Sequence, residues 1–117
     1  MKRKSKLDIA RDDFKEAYKQ YAKATDSKKV FFLALTKAFE VLLEYAWKTL
    51  KQQVEDTGLE AYSPKDVVRE SAKLGIINNP ELWIKAINAR NESVHDYYSM
   101  KEEDFVALIR RFEKEVR

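Results

Sequence analysis

The chain contains no cysteine, one histidine, two glycines and two prolines among its 117 residues. Without cysteine there is no disulfide framework, no thiolate metal site and no cysteine nucleophile, so nothing ties the chain to an oxidising compartment. A lone histidine rules out a multi-histidine metal site built within one chain. The scarcity of Gly and Pro, beside 37% charged and 44% hydrophobic residues, argues against a turn-rich β-sandwich, a collagenous chain or a disordered linker. Long apolar runs are missing as well. The longest, Val30 to Leu35, is far short of a membrane span, and no apolar stretch follows the basic start as a secretory signal would require. The expected setting is the cytoplasm, away from membranes.

Excess charge is scarce once it is located. The formal net charge is +3, and Lys2, Arg3, Lys4 and Lys6 supply four positive charges, which leaves residues 7–117 at −1. Proteins that bind nucleic acid by neutralising phosphates carry a basic stripe on the fold. Here the excess lies in residues 1–6, which read as a basic disordered leader. Residues 7–117 suffice for one core, so a single helical domain is expected there.

What the sequence does have is apolar residues at helical spacing. Ala10, Phe14, Ala17, Tyr18, Tyr21 and Ala24 recur at three and four positions, which predicts a first amphipathic helix from Leu7 to Thr25. Asp26 or Ser27 can cap a second, central helix over Lys28 to Thr57, ending at Gly58. Its stripe is Phe32, Leu35, Phe39, Leu42, Ala46, Leu50 and Val54, thickened by Phe31, Leu43 and Trp47. Ser63 and Pro64 are an N-cap and a first-turn proline, opening a short helix to Leu74. Gly75 ends it, after which Ile76 and Ile77 are expected to fold back onto the core. Asn79 and Pro80 repeat the same start for a fourth helix reaching about Tyr98. Ser99 and Glu102 have the spacing of a capping box for the last helix, whose inner face is Phe105, Leu108, Ile109, Phe112 and Val116. The expected fold is all-α: an antiparallel four-helix up-and-down bundle with a short additional helix.

The fourth helix interrupts its own stripe. One column reads Trp83, Ile87, Arg90, Val94 and Tyr97, and the next reads Ile84, Asn88, Asn91, His95 and Tyr98. An arginine on an apolar stripe is paired or used, because desolvating an unpaired guanidinium is costly. One reading pairs Arg90 with Glu40 or Glu44 and leaves His95 a satisfied interfacial side chain. The acidic runs Asp12-Asp13 and Glu102-Glu103-Asp104 sit at helix starts, where the dipole favours them without a metal. The aromatic set Tyr18, Tyr21, Phe31, Phe32 and Phe39, with Trp47 and Trp83, reads as core or dimer seam at this spacing and not as a base-stacking platform.

Arg90, Asn91, His95 and Tyr97 spell R-N-x3-H-x-Y. With Ala46 to Lys51 (AWKTLK), Ser63 to Ile77 (SPKDVVRESAKLGII) and Ala89 to Tyr98 (ARNESVHDYY), the chain resembles the HEPN-domain family, in its nucleotidyltransferase substrate-binding protein type. The resemblance spans most of residues 30–117. It implies a two-fold dimer whose motif helix lines a cleft at or near the dimer interface, with Arg90, Asn91, His95 and Tyr97 as site residues. It also implies a separate minimal nucleotidyltransferase partner that carries ATP and magnesium, while this chain binds no cofactor or metal. Members in toxin-antitoxin pairs are silenced when the partner adds adenylate to the motif tyrosine, here Tyr97.

The ribonuclease branch of the family implies the alternative, metal-independent RNA cleavage. His95 would move the proton of a ribose 2'-hydroxyl or of the leaving oxygen, Arg90 would stabilise charge on the phosphate, and Asn91 could orient either group. Acid and base are two groups, so the single histidine calls for the symmetry-related His95 or another donor. Glu92 and Asp96 flank the motif and repel a phosphate backbone, which ranks a binding subunit for nucleotide, RNA or protein above the nuclease. The chain cannot perform nucleotidyl transfer itself: that chemistry needs a Gly-Ser turn and paired aspartates, and neither Gly58 nor Gly75 precedes a serine.

Overall fold

The computed structural model of the chain describes residues 4–95 and 100–116, with side chains at all of these except 92–95. The elements are α1 (Lys6–Lys23), α2 (Lys28–Glu55), α3 (Pro64–Lys73), α4 (Pro80–His95) and α5 (Glu102–Glu115). Among the described residues there is no strand, so the all-α expectation holds. The chain forms two compact units that divide inside α2, one up to Tyr45 and one from Ala46 onward.

In the first unit, α1 starts one residue earlier than its apolar period. Ser5 accepts the Asp8 backbone N–H at 3.0 Å, and the Asp8 carboxylate accepts the Ser5 N–H at 3.4 Å. Together they form a capping box. Lys4 is tied to the same helix by an ion pair with Asp12. The Ser-Lys-Leu-Asp string is the signal that would have set this boundary. α1 stops at Lys23, two residues before the expected Thr25, because Ala24 turns extended (φ −69°, ψ 132°). Ala10 and Phe14 are buried. Tyr21 lies tilted against Phe32 with ring centroids 6.0 Å apart, and the Lys28 ammonium sits 4.5 Å above the same ring, which fastens the α1–α2 turn. Ser27 opens α2 through its backbone: its carbonyl accepts the Val30 and Phe31 N–H groups at 2.9 and 3.3 Å, from a left-handed φ of 55°.

The second unit holds the end of α2 and the three shorter helices. Helix α2 ends at Glu55 and not at Thr57, and a turn to Gly58 (φ 91°) follows. Thr57 is outside the helix because its hydroxyl folds back onto the Val54 carbonyl at 2.6 Å. Ser63 caps α3 by accepting the Asp66 N–H at 3.2 Å, and Pro64 stands in the first turn. At the other end Gly75 takes φ 76° and donates to Ala72 at 3.1 Å, while Ile76 donates to Ser71 at 2.9 Å. This is a Schellman closure. Ile77 is half-buried, but Ile76 remains 37% exposed. The expectation that both fold onto the core is therefore corrected for Ile76, whose backbone closes the helix while its side chain faces water.

Asn79 caps α4 as expected, its side-chain oxygen accepting the Leu82 N–H at 3.3 Å. The cap position of α5 falls on Lys101 and not on the expected Ser99. Lys101 occupies the cap of α5 without a side-chain cap bond, which puts Glu102 at the first helical position instead of the third. Glu102, Glu103 and Asp104 together face the positive end of the helix, and that charge does the work of the cap. Ser99 itself, and the expected extension of α4 to Tyr98, lie outside the described residues. Helix α4 packs against α3 and α5. The buried residues there are Val67, Val68 and Ser71 of α3, Trp83, Ala86 and Ile87 of α4, and Phe105, Ile109 and Phe112 of α5.

Because Ser63 and Asn79 each satisfy one otherwise orphaned helix N–H, Ser63→Ala and Asn79→Ala are each expected to lower stability by about 1 kcal/mol. Urea melts would show this as an earlier midpoint with an unchanged slope. No loss in either variant would mean that water serves these helix starts equally well.

Candidate functional site on the fourth helix

The side chains of α4 sort into two arcs. Leu82, Trp83, Ala86, Ile87 and Ala89 are buried, whereas Glu81, Lys85, Asn88 and Asn91 are exposed and Ile84 is half-buried. At about 100° per residue, Arg90 falls inside the buried arc, between Ala86 and Ile87 in angle. Its side chain is half-buried, its Nε is shut off from solvent, and it is engaged with another group. Arg90 is thus anchored at its root among apolar neighbours, as its place in the Trp83–Ile87 column predicts. Its stem packs like a methionine while its charge has to be satisfied.

Asn91 stands on the opposite arc, one turn from Asn88, and both amides are exposed. His95 closes the helix, and its position continues the Asn88–Asn91 column. From Arg90 to His95 the backbone advances about 7.5 Å and turns about 140°. The two positions therefore lie on different sides of one helix and cannot form a stacked pair. The structure brings Asn91 and the His95 position onto one side and sets Arg90 apart from them. The His95 side chain and all of Tyr97 lie outside the described residues.

Other polar clusters are less suited to chemistry. A shallow depression of about 210 Å³ on α1 is lined by Lys4, Asp8, Arg11, Asp12 and Lys15, with both signs of charge, and its acids are already committed to Ser5 and Lys4. Among the described residues no three His, Cys, Asp or Glu side chains group as metal ligands would. The acidic run Glu102-Glu103-Asp104 is exposed in the first turn of α5 as expected, whereas Asp12-Asp13 is exposed in the middle of α1 because that helix begins at Lys6, and Phe32, Phe39 and Trp83 are core. Tyr62 is 76% exposed. It donates to the Glu60 carboxylate, and that hydrogen bond holds its phenol above the usual tyrosine range.

The Lys4–Asp12 pair gives a pH signature. The hydrogen bond and charge of Lys4 hold the Asp12 carboxyl below its ordinary range, and Asp12 holds Lys4 above its own. The stabilisation is complete between the two ordinary ranges. It fades as pH falls through the lowered Asp12 value or rises through the raised Lys4 value. Both groups are fully exposed, so salt screens them. Asp12→Asn is expected to flatten the acid limb of the melting temperature against pH at low ionic strength only; an equal change in high salt would contradict it.

An all-helical chain whose late helix carries R-N-x3-H resembles the HEPN type. The comparisons agree: the pattern of the nucleotidyltransferase substrate binding protein like family matches residues 2–117, and the chain belongs to that family. It is also similar to a protein of Haemophilus influenzae named probable ribonuclease HepT, with 30% identity over 64 residues. That match covers 50% of this chain and 44% of the relative, so the chain spans less than half of the relative's length. No solved structure matches the chain. No helix among the described residues is long and apolar enough to cross a membrane.

One surface escaped the sequence reading. Val30 and Leu33 stand outside the expected inner stripe of α2, and they are 63% and 47% exposed. The signal was there: six consecutive apolar residues are more than one face of a helix can bury.

Proposed function

We propose that this chain is the substrate-binding subunit of a cytoplasmic two-component nucleotidyltransferase system of the toxin-antitoxin kind. In this reading its helices form the family's antiparallel four-helix bundle with α3 as the short extra helix. The family match over residues 2–117 is the observation that carries it. The partner is a minimal nucleotidyltransferase that holds ATP and magnesium. Asn91 and His95 offer it one side of α4, Arg90 braces the helix from the other, and Tyr97 is the acceptor. The Tyr97 phenol oxygen attacks the α-phosphorus of ATP, the bond to pyrophosphate breaks, and the phenolic proton passes to a base of the transferase.

Incubation with the transferase, magnesium and ATP labelled at the α-phosphate tests this reading. Wild type is expected to take up label. Tyr97→Phe keeps the ring and loses the hydroxyl, so it should take up none with its circular dichroism unchanged. Equal labelling of both proteins would remove Tyr97 from the reaction.

A second reading is favoured by the likeness to the protein named probable ribonuclease HepT: RNA cleavage through Arg90 and His95 in a dimeric cleft, without metal. Flat RNA cleavage by the pure protein above background, insensitive to chelation, would move the assignment there.

A further inference from the structure

The depression on α1 offers no free acid for catalysis, but its charges are sorted. At about 100° per residue, Arg11 and Lys15 stand along one edge of it and Asp8 and Asp12 along the other. The acids are engaged, Asp8 with the Ser5 N–H and Asp12 with Lys4. The two bases are not: among the described residues neither Arg11 nor Lys15 makes a hydrogen bond or an ion pair. Lys15 is exposed, whereas Arg11 is half-buried and its Nε is shut off from solvent without an acceptor. Buried donors are paired as a rule, so Arg11 is fixed at its root while its guanidinium keeps donors to offer. Charge along the chain favours anions here as well. Residues 1–29 hold ten Lys or Arg and five Asp or Glu, a net +5, whereas residues 30–117 sum to −2.

We propose that this depression is a phosphate subsite, in which the Arg11 fork takes two oxygens of one phosphate group and the Lys15 ammonium takes a third. A planar fork beside a compact ammonium is a donor set that suits phosphate. The two positions lie one helical turn apart, about 6 Å along the axis, so one tetrahedral anion between them meets both. The volume of about 210 Å³ is several times the ~30 Å³ of a water molecule, which is room for the anion and the waters that complete its shell. Lys4 stands in reserve, held by Asp12 on the opposite edge. The phosphate is a free ion or the end of a nucleotide, and the group recognised is the same. The subsite uses residues of the first unit alone and stands apart from the α4 motif and from the nucleotidyltransferase reading.

A site this open is screened by salt, so a dissociation constant of about a millimolar is expected at low ionic strength. The test is a titration of the full chain with sodium phosphate, followed through its backbone N–H resonances, beside sodium chloride at equal ionic strength. Phosphate should shift residues 8–15 saturably, and chloride should not. Arg11→Gln and Lys15→Gln should each weaken binding severalfold, with circular dichroism unchanged. Asp12→Asn should strengthen it severalfold, because it releases Lys4 and removes a carboxylate from the facing edge, a gain that a merely structural role for these residues would not give. Adenosine monophosphate binding no tighter than phosphate would assign the subsite to the free ion, and tighter binding would assign it to the end of a nucleotide; either result carries the proposal. Shifts shared with chloride, or centred on α4, overturn it. So do Arg11→Gln and Lys15→Gln proteins that bind as wild type does, or an Asp12→Asn protein that gains nothing.

Discussion

Trp83→Ala is expected to lower stability by about 3–5 kcal/mol, the largest effect of any single truncation discussed for this chain. Trp83 is 3% exposed and meets Phe112 edge to face, with ring centroids 4.9 Å apart and planes at 84°. Both residues belong to the unit that begins at Ala46, and their contact joins α4 to α5. The loss combines the transfer energy of the indole, the cavity left beneath α4, and an aromatic pair worth about 0.5–1.5 kcal/mol. Against a total of about 5–15 kcal/mol for a domain, that is a large share, and at this chain length it lowers the melting temperature by roughly 10–20 °C. Trp83→Phe should recover much of it by refilling the space. Calorimetry decides: a melt within a few degrees of wild type for Trp83→Ala would mean that the α4–α5 contact is not part of the core.

The second large effect concerns binding, and it separates the packing of Arg90 from the recognition role proposed for it. Arg90→Met keeps the apolar stem in the buried arc and removes the charge. It is expected to weaken association with the transferase by about tenfold or more and to cost stability no more than the contact its guanidinium makes within the chain, a charged hydrogen bond being worth about 1.5–3 kcal/mol. His95→Ala, on the other side of the helix, should weaken association by a similar factor. If the chain is a ribonuclease, the same two substitutions instead lower RNA cleavage by about 10² or more, and chelation has no effect. A pair of variants that bind, cleave and melt as wild type does would make both residues scaffolding.

How much of this could be read in advance depends on how local each cause is. Ser63-Pro64, Gly75 and Asn79-Pro80 act within a few residues of themselves, through a side-chain cap or a left-handed turn, and the structure uses each one where the sequence placed it. Ser99 and Glu102 have the spacing of a cap but not its position. Three acids in the first turn favour the positive end of the helix, and the last helix begins at Glu102 with its cap position at Lys101. The inner stripe of α2 was legible because it is periodic, whereas its outer apolar side was hidden by that same periodicity, which registers one face at a time. Arg90 was legible as a charge on an apolar column. That it stands on the opposite side of α4 from Asn91 and the His95 position follows from helical pitch, but which group satisfies its guanidinium is set by tertiary packing.

Whether this chain serves a nucleotidyltransferase is decided by a calorimetric titration of the purified chain into its cognate transferase. A saturable heat at a defined stoichiometry is expected, retained when a chelator is added to this chain beforehand and reduced by Arg90→Met and His95→Ala. The absence of any heat of association, with and without nucleotide, from two proteins shown to be folded would contradict it.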